Sequence, residues 1–240
     1  MRKYLYILLI LVSVSCDDAL FNSGDIITKN IEIEKFSKIY VEDIFEIYLI
    51  QDSVCRIEAK GGSNLIPNLE FSVDEDKILT IKDNNTANWS RSYDKIELYI
   101  SVDTLRYMRL NAPSKVVTQN TLITPELVLL SIDDYAEYDI DINCNNCYIV
   151  NSETSGGIIN LTGETNSFTF WARGSFEVNA ENFIANYVTV KHESIANCKV
   201  YATQELSVEI LRDGNLYYKG NPQTINYVND RAKNQLIKIE

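Results

Sequence analysis

Three groups of residues in this chain have types and spacings that could do chemistry. His192, the only histidine, is followed by Glu193. A carboxylate beside an imidazole is the start of a proton-transfer pair, because small environmental changes carry histidine titration across neutral pH. A nucleophilic triad needs a third, spatially arranged partner. Nothing in the spacing supplies one, and a lone histidine in the polar stretch between Val190 and Cys198 reads as solvated surface. Cys144-Asn145-Asn146-Cys147 has the spacing of redox and zinc pairs. Redox pairs of this kind open a helix, which lowers one thiol pKa, and a zinc site wants two further ligands. Here the pair falls between strand-like runs, so a local disulfide or two free thiols is expected. The acids Asp133, Asp134, Glu137, Asp139 and Asp141 form the third group. Hard cations favour dense carboxylates, but Asp139 and Asp141 alternate with Ile140 and Ile142, which places them on the outward face of a strand. No catalytic set, metal or cofactor is expected. Trp89 and Tyr93 in a polar turn, and Trp171 directly after an apolar run, are the aromatic side chains with the character of ligand contacts.

The elements that carry these residues follow from periodicity. Steps of twenty from Met108 meet Val128, Tyr148, Phe168, Val188, Val208 and Val228, all apolar. Steps from Leu110 meet Leu130, Val150, Phe170, Val190 and Ile210. Two columns two residues apart lie on one face of a strand. A second pair runs Ile140, Ile159, Val178, Cys198, Leu216 and Ile142, Leu161, Ala180, Val200, Tyr218. Cys198 therefore reads as a small buried apolar residue. Strands this short cannot bury an apolar face alone, whereas stacked repeats close a continuous core. The reading is an all-β solenoid of about 20-residue coils over 106–240, with an evenly spaced β-sandwich as the competing architecture. Residues 31–105 are β-rich but off this register, and they are expected to form an N-terminal segment that caps the stack, because an open stack end invites edge pairing. Gln235 to Glu240 reads as a last strand.

The first residues give an address. Arg2 and Lys3 precede an apolar run, Tyr4 to Val12, too short for a mature membrane-spanning helix. Small residues and Cys16 follow. Residues 1–15 read as a secretory signal peptide of the lipoprotein type, with Cys16 as the acylated residue. Asp17 and Asp18 then read as a surface-export signal at the head of a flexible tether, 16–30. Loss of Arg2 and Lys3 leaves 22 − 2 = 20 basic residues against 34 acidic ones, a net charge of 20 − 34 = −14. Such a chain repels nucleic acid and anionic lipid. Cys55, Cys144, Cys147 and Cys198 would then meet a disulfide-permissive compartment.

Phe36 to Gln51 (FSKIYVEDIFEIYLIQ), Leu69 to Asp83 (LEFSVDEDKILTIKD) and Asp213 to Pro222 (DGNLYYKGNP) resemble the head GIN domain family of autotransporter adhesins. The resemblance spans roughly Ile31 to Pro222. It implies an all-β, right-handed helix-like fold and an envelope location. The family's small Gly/Ser turn is kept at Ser155-Gly156-Gly157, Gly174-Ser175 and Asp213-Gly214, and replaced elsewhere, as at Asn111-Ala112-Pro113. The combined expectation is a lipid-anchored outer-membrane protein, exposed at the surface, that binds glycans or proteins without catalysis. A carbohydrate-active β-helix enzyme and a purely structural envelope component are the alternatives.

Overall fold

The computed structural model describes residues 22–85, 95–132 and 135–240. Cys16, Asp17, Asp18, Trp89, Tyr93, Asp133 and Asp134, singled out above, lie outside these residues, as does the signal segment.

The chain is a β-solenoid of about six turns with coils of about 21 residues. In chain order it contains β1 (Ile26–Ile31), β2 (Lys38–Val41), β3 (Glu46–Gln51), β4 (Arg56–Gly62), β5 (Leu69–Val73), β6 (Ile78–Asp83), β7 (Glu97–Val102), β8 (Tyr107–Leu110) and β9 (Ser114–Thr118). There follow β10 (Leu122–Ser131), β11 (Tyr135–Asn151), β12 (Gly156–Ser194), β13 (Cys198–Ile210), β14 (Leu216–Lys219), β15 (Thr224–Tyr227), α1 (Asp230–Gln235) and β16 (Leu236–Lys238). A 39-residue strand such as β12 far exceeds the usual length of about 3–10 residues. It is continuous because it bends round the corners of successive coils.

Each coil contributes to two walls. One wall stacks β6, β2, β8 and the second half of β10 in parallel, then β11, β12, β13 and β15. The other stacks β7, β3, β9 and the first part of β11, then β12, β13, β14 and β16. Inward residues of both walls form one apolar core that reaches from Phe36 to Ala232.

The segment before Tyr107 does more than cap. The coil β2–β3 lies between the coil β6–β7 and the coil β8–β9. After β1 on the outer edge, the chain thus joins the stack at the second rung with β2 and β3 and travels back outward to lay down β4 and β5. It returns through β6 and β7, then crosses to β8. The outer end is closed by antiparallel pairs, β1 on β4, β4 on β7 and β5 on β6. At the opposite end α1 covers the stack. Asn229 caps it by accepting from the Ala232 backbone at 3.0 Å, and Ala232 is buried.

Coil length varies around twenty, so steps of exactly twenty drift from the true register. Met108 lies opposite Leu129, and Ile149 opposite Phe170, so these coils are 21 residues long. Leu127, Leu129, Cys147 and Ile149 fill the core, whereas Val128, Leu130, Tyr148 and Val150 face outward. A one-residue slip reverses every side chain of a strand. In the second wall the slip is two residues, Tyr138 rather than Ile140 lying opposite Ile159, and the inward face is preserved. Later coils shorten: Val190 faces Val208 and Val208 faces Tyr227. Val228 is 60% exposed.

The corner that leads from the first wall to the second is a buried polar ladder. Ser114 Oγ accepts from the Phe45 backbone at 3.1 Å. Ser131 bonds to the buried Tyr138 hydroxyl at 3.0 Å, and burial pushes that phenol well up. Asn151 Nδ2 donates to Ser155 Oγ at 2.9 Å, while its Oδ1 accepts from the Arg173 backbone at 2.7 Å. Ser194 Oγ donates to the Gly174 carbonyl at 3.2 Å. Ser114, Asn151 and Ser194 thereby satisfy backbone groups that a tight corner leaves unpaired. Gly157 is required at the same corner. Its φ is +144°, and a Cβ there would sit 2.2 Å from the Ala136 carbonyl oxygen.

Candidate functional site

The opposite corner, between the second wall and the first, carries a groove of about 570 Å³. Four consecutive coils build it, each with a short strand: residues 123–125, 143–145, 164–166 and 184–186. Parallel stacking places neighbouring rungs about 4.8 Å apart. Asn145, Asn166 and Asn186 recur one coil apart, with Asn143 beside them. Asn186 Nδ2 donates to Asn166 Oδ1 at 3.2 Å, and Asn143 Oδ1 accepts from the Glu164 backbone at 3.1 Å. Thr203 Oγ1 donates to Asn186 Oδ1 at 2.8 Å. Ile123 and Ile184, 64% and 46% exposed, add apolar surface. A row of amides, partly bonded to one another and each able to make more bonds than these, beside exposed aliphatic side chains, suits a ligand with hydroxyls on an apolar frame.

Sequence reading did not single out this groove. The signal was present, since Asn145, Asn166 and Asn186 share one position of successive coils. Asparagine is common in turns, so the recurrence carries no functional meaning of its own until stacking places the amides in one line.

His192 is fully buried, which corrects its reading as solvated surface. The alternation Val188, Val190, His192, Ser194 continues inward because β12 runs to Ser194, two residues beyond the histidine. His192 Nδ1 accepts from the Ser194 backbone at 3.3 Å, and among the described residues its Nε2 has no hydrogen-bond partner. Burial lowers its pKa, opposed by the nearby Asn215 backbone. Gly214 packs against the Cε1 and Nε2 atoms of the ring, where a Cβ would come within 2.8 Å of both. Glu193 points the other way, outward, so the two are not a proton-transfer pair.

Trp171 sits on the outer face of the first wall, half-buried. Its indole Nε1 donates to Glu193 Oε2 at 3.0 Å. The Arg173 guanidinium lies 3.2 Å from the ring centroid and the Lys191 ammonium 3.9 Å. Glu137 and Asp139 are exposed on the second wall, and Asp141 accepts from Thr121 at 2.6 Å and Thr162 at 3.3 Å. Among the described residues no three side chains of ligand type converge on a metal position. Cys198 is buried between Val178 and Leu216, and burial pushes its thiol up to about 12.

The early rungs carry a second recognition-like surface that sequence reading missed. Tyr48 and Tyr99 stack on the outer face with centroids 4.7 Å apart and planes 15° from parallel. Tyr99 donates to Glu97 at 2.7 Å, and this bond holds its pKa at about 12. Lys60 pairs with Glu97 at 3.0 Å.

This all-β solenoid is a fold found in other solved structures and in a described family. The chain belongs to the family described as "Putative auto-transporter adhesin, head GIN domain", whose model matches residues 35–222. Similar solved structures include a "putative adhesin" from Bacteroides fragilis, 19% identical over 89% of this chain and 93% of that one, with a TM-score of 0.77. A "putative adhesin" from Parabacteroides distasonis is 16% identical over 90% and 95%, with a TM-score of 0.60. A "putative lipid binding protein" from the same species is 18% identical over 90% and 98%, with a TM-score of 0.62. At these identities the likeness is one of fold. No functionally curated protein matches. An adhesin family fits a protein of the cell surface or envelope.

Proposed function

We propose that this chain is a non-catalytic binding module of the cell envelope that captures an extended glycan, or a protein segment presenting similar groups, along the amide-lined corner groove. The observation that carries this reading is the repetition of Asn145, Asn166 and Asn186 on consecutive coils. A polymer lying along the stack meets the same donor and acceptor at each rung, and modest contacts then add along its length. Among the described lining residues Glu164 is the one carboxylate. Hydrolysis by paired carboxyls needs two at about 5–10 Å, which favours capture over cleavage. Lipidation at Cys16 would anchor the module to the outer membrane, and Asp17 and Asp18 would direct it to the outer face. The acidic charge favours neutral or cationic ligands over nucleic acid.

The test is binding of the purified protein to a panel of neutral polysaccharides, compared with the triple variant N145A/N166A/N186A. The variant should lose about tenfold or more in affinity at unchanged melting temperature. Equal affinity would reject the groove. Protease shaving of intact against lysed cells, followed by immunoblot, checks the orientation. Signal lost from intact cells supports outward display, and signal that survives until lysis rejects it.

A further inference from the structure

Cys144 and Cys147 occupy the groove corner in a way that its neighbouring coils make interpretable. The coil before reads Thr124-Pro125-Glu126-Leu127, and the coil after reads Thr165-Asn166-Ser167-Phe168. The pattern is a threonine, two corner residues and a core apolar residue. Each threonine closes its own corner: Thr124 Oγ1 donates to the Glu126 carbonyl at 3.0 Å, and Thr165 Oγ1 to the Ser167 carbonyl at 3.2 Å. In the middle coil both terms are cysteine. Register confirms the equivalence, Thr124 with Cys144 and Thr165, Leu127 with Cys147 and Phe168. A thiol is a weak donor, so closing the corner does not account for Cys144.

The two sulfurs differ in access. Cys144 is half-buried and lines the groove, with its Sγ donating to Thr165 Oγ1 at 3.4 Å. Cys147 is fully buried behind it. Interaction with the Cys147 thiol holds Cys144 below the usual thiol range, and the same interaction raises Cys147 well above it. The open sulfur is thus the better thiolate and the closed one is protected. That is the asymmetry of an attacking and a resolving thiol.

We propose that Cys144 and Cys147 form a thiol–disulfide exchange pair, with Cys144 attacking from the groove and Cys147 resolving from the core. The oxidant is a low-molecular-weight disulfide or a disulfide oxidoreductase, the reagents of compartments outside the cytoplasm. The Cys144 thiolate attacks one sulfur of the oxidant, a new S–S bond forms, and the other sulfur leaves as a thiolate that takes a proton from solvent. Cys147 gives its proton to solvent and attacks the Cys144 sulfur, forming the intrachain disulfide and expelling the second thiol. Two protein thiols become one disulfide, and one reagent disulfide becomes two thiols. The chemistry does not depend on what the groove binds.

The experiment uses the reduced full-length protein and oxidised glutathione at about pH 8, followed by alkylation and mass spectrometry. The wild type should lose two hydrogens, join Cys144 to Cys147 and retain no glutathione. C147S should retain one glutathione on Cys144. C144S should react at Cys147 about tenfold more slowly or not at all. The variant C144T/C147L carries the neighbouring coils' residues, and it should melt like the wild type and take up nothing at this corner. Absence of an adduct on C147S, or a wild type that keeps both thiols alkylatable after oxidation, overturns the proposal. If C147S does not fold, acid quenching of the wild-type reaction at early times replaces it: a transient glutathione adduct on Cys144 supports the pair, and its absence refutes it. Any of these failures leaves the capture reading of the groove intact, since that rests on the asparagine variant.

Discussion

The early rungs, Lys38 to Val102, and the later coils, Tyr107 to Tyr227, are built from the same kind of strand and stack in one sheet, yet they reach it by different routes. In the later coils chain order is stack order, and each residue finds its neighbour about one coil away. In the early rungs β2 contacts β6 and β8, which lie on either side of it in space but both later in the chain. Parallel stacking needs matched apolar columns and paired backbones, and it is indifferent to the order in which rungs are laid down. What chain order does change is loop closure. The early rungs require longer connections, with a higher entropic cost before contacts form.

The largest effects should come from the core, where the comparison can be broken outright. Phe168 packs on Phe170 at 5.3 Å and edge-on to Phe183 at 5.4 Å. Phe168→Ala should cost about 3–5 kcal/mol, and Ile47→Ala in the inserted rung about 2–5 kcal/mol. If the two regions form one cooperative core, both variants lower the midpoint of a single transition in calorimetry or denaturant titration. A second, separate transition in either variant would show that the early rungs melt independently.

A smaller effect should separate the regions by pH. His192 belongs to the later coils and is held neutral by burial. Its folded pKa lies below the unfolded value of about 6.5, so its contribution to stability is fully present above that value and is lost as pH falls toward the depressed folded value. The melting temperature should therefore drop between pH 7.5 and pH 5.5, and His192→Leu should reduce that drop. An identical pH dependence in the variant would mean that carboxylates alone set it.

The smallest effect lies on the outer wall. Lys191 covers Trp171 from a neighbouring coil. Lys191→Ala should cost about 0.5–1 kcal/mol by loss of the cation–ring contact, measured as a shift in denaturant midpoint. A change in ligand affinity with no change in stability would instead place Trp171 in recognition.

Much of the fold was legible because solenoid stacking writes its geometry into the text. Apolar columns recurred at one period, alternation marked the inward face, and Cys198 fell in a core column where it is indeed buried. The phrases at Phe36, Leu69 and Asp213 carried the family. Other features were not legible. Coils of 21 and 18 residues moved the columns by one or two positions, and a slip of one exchanges core for surface. The six-residue α1 left no period long enough to read. His192 looked exposed because its neighbours are polar, although they are polar on the outward side.

The sequence by itself determined the class of fold, the inward face of most later strands and the family, because each depends on spacing along the chain. Tertiary structure alone decided the order of the early rungs, the burial of His192 and the groove. Those depend on which coil lies beside which, and side chains twenty residues apart become one surface only when the walls stack their strands about 4.8 Å apart.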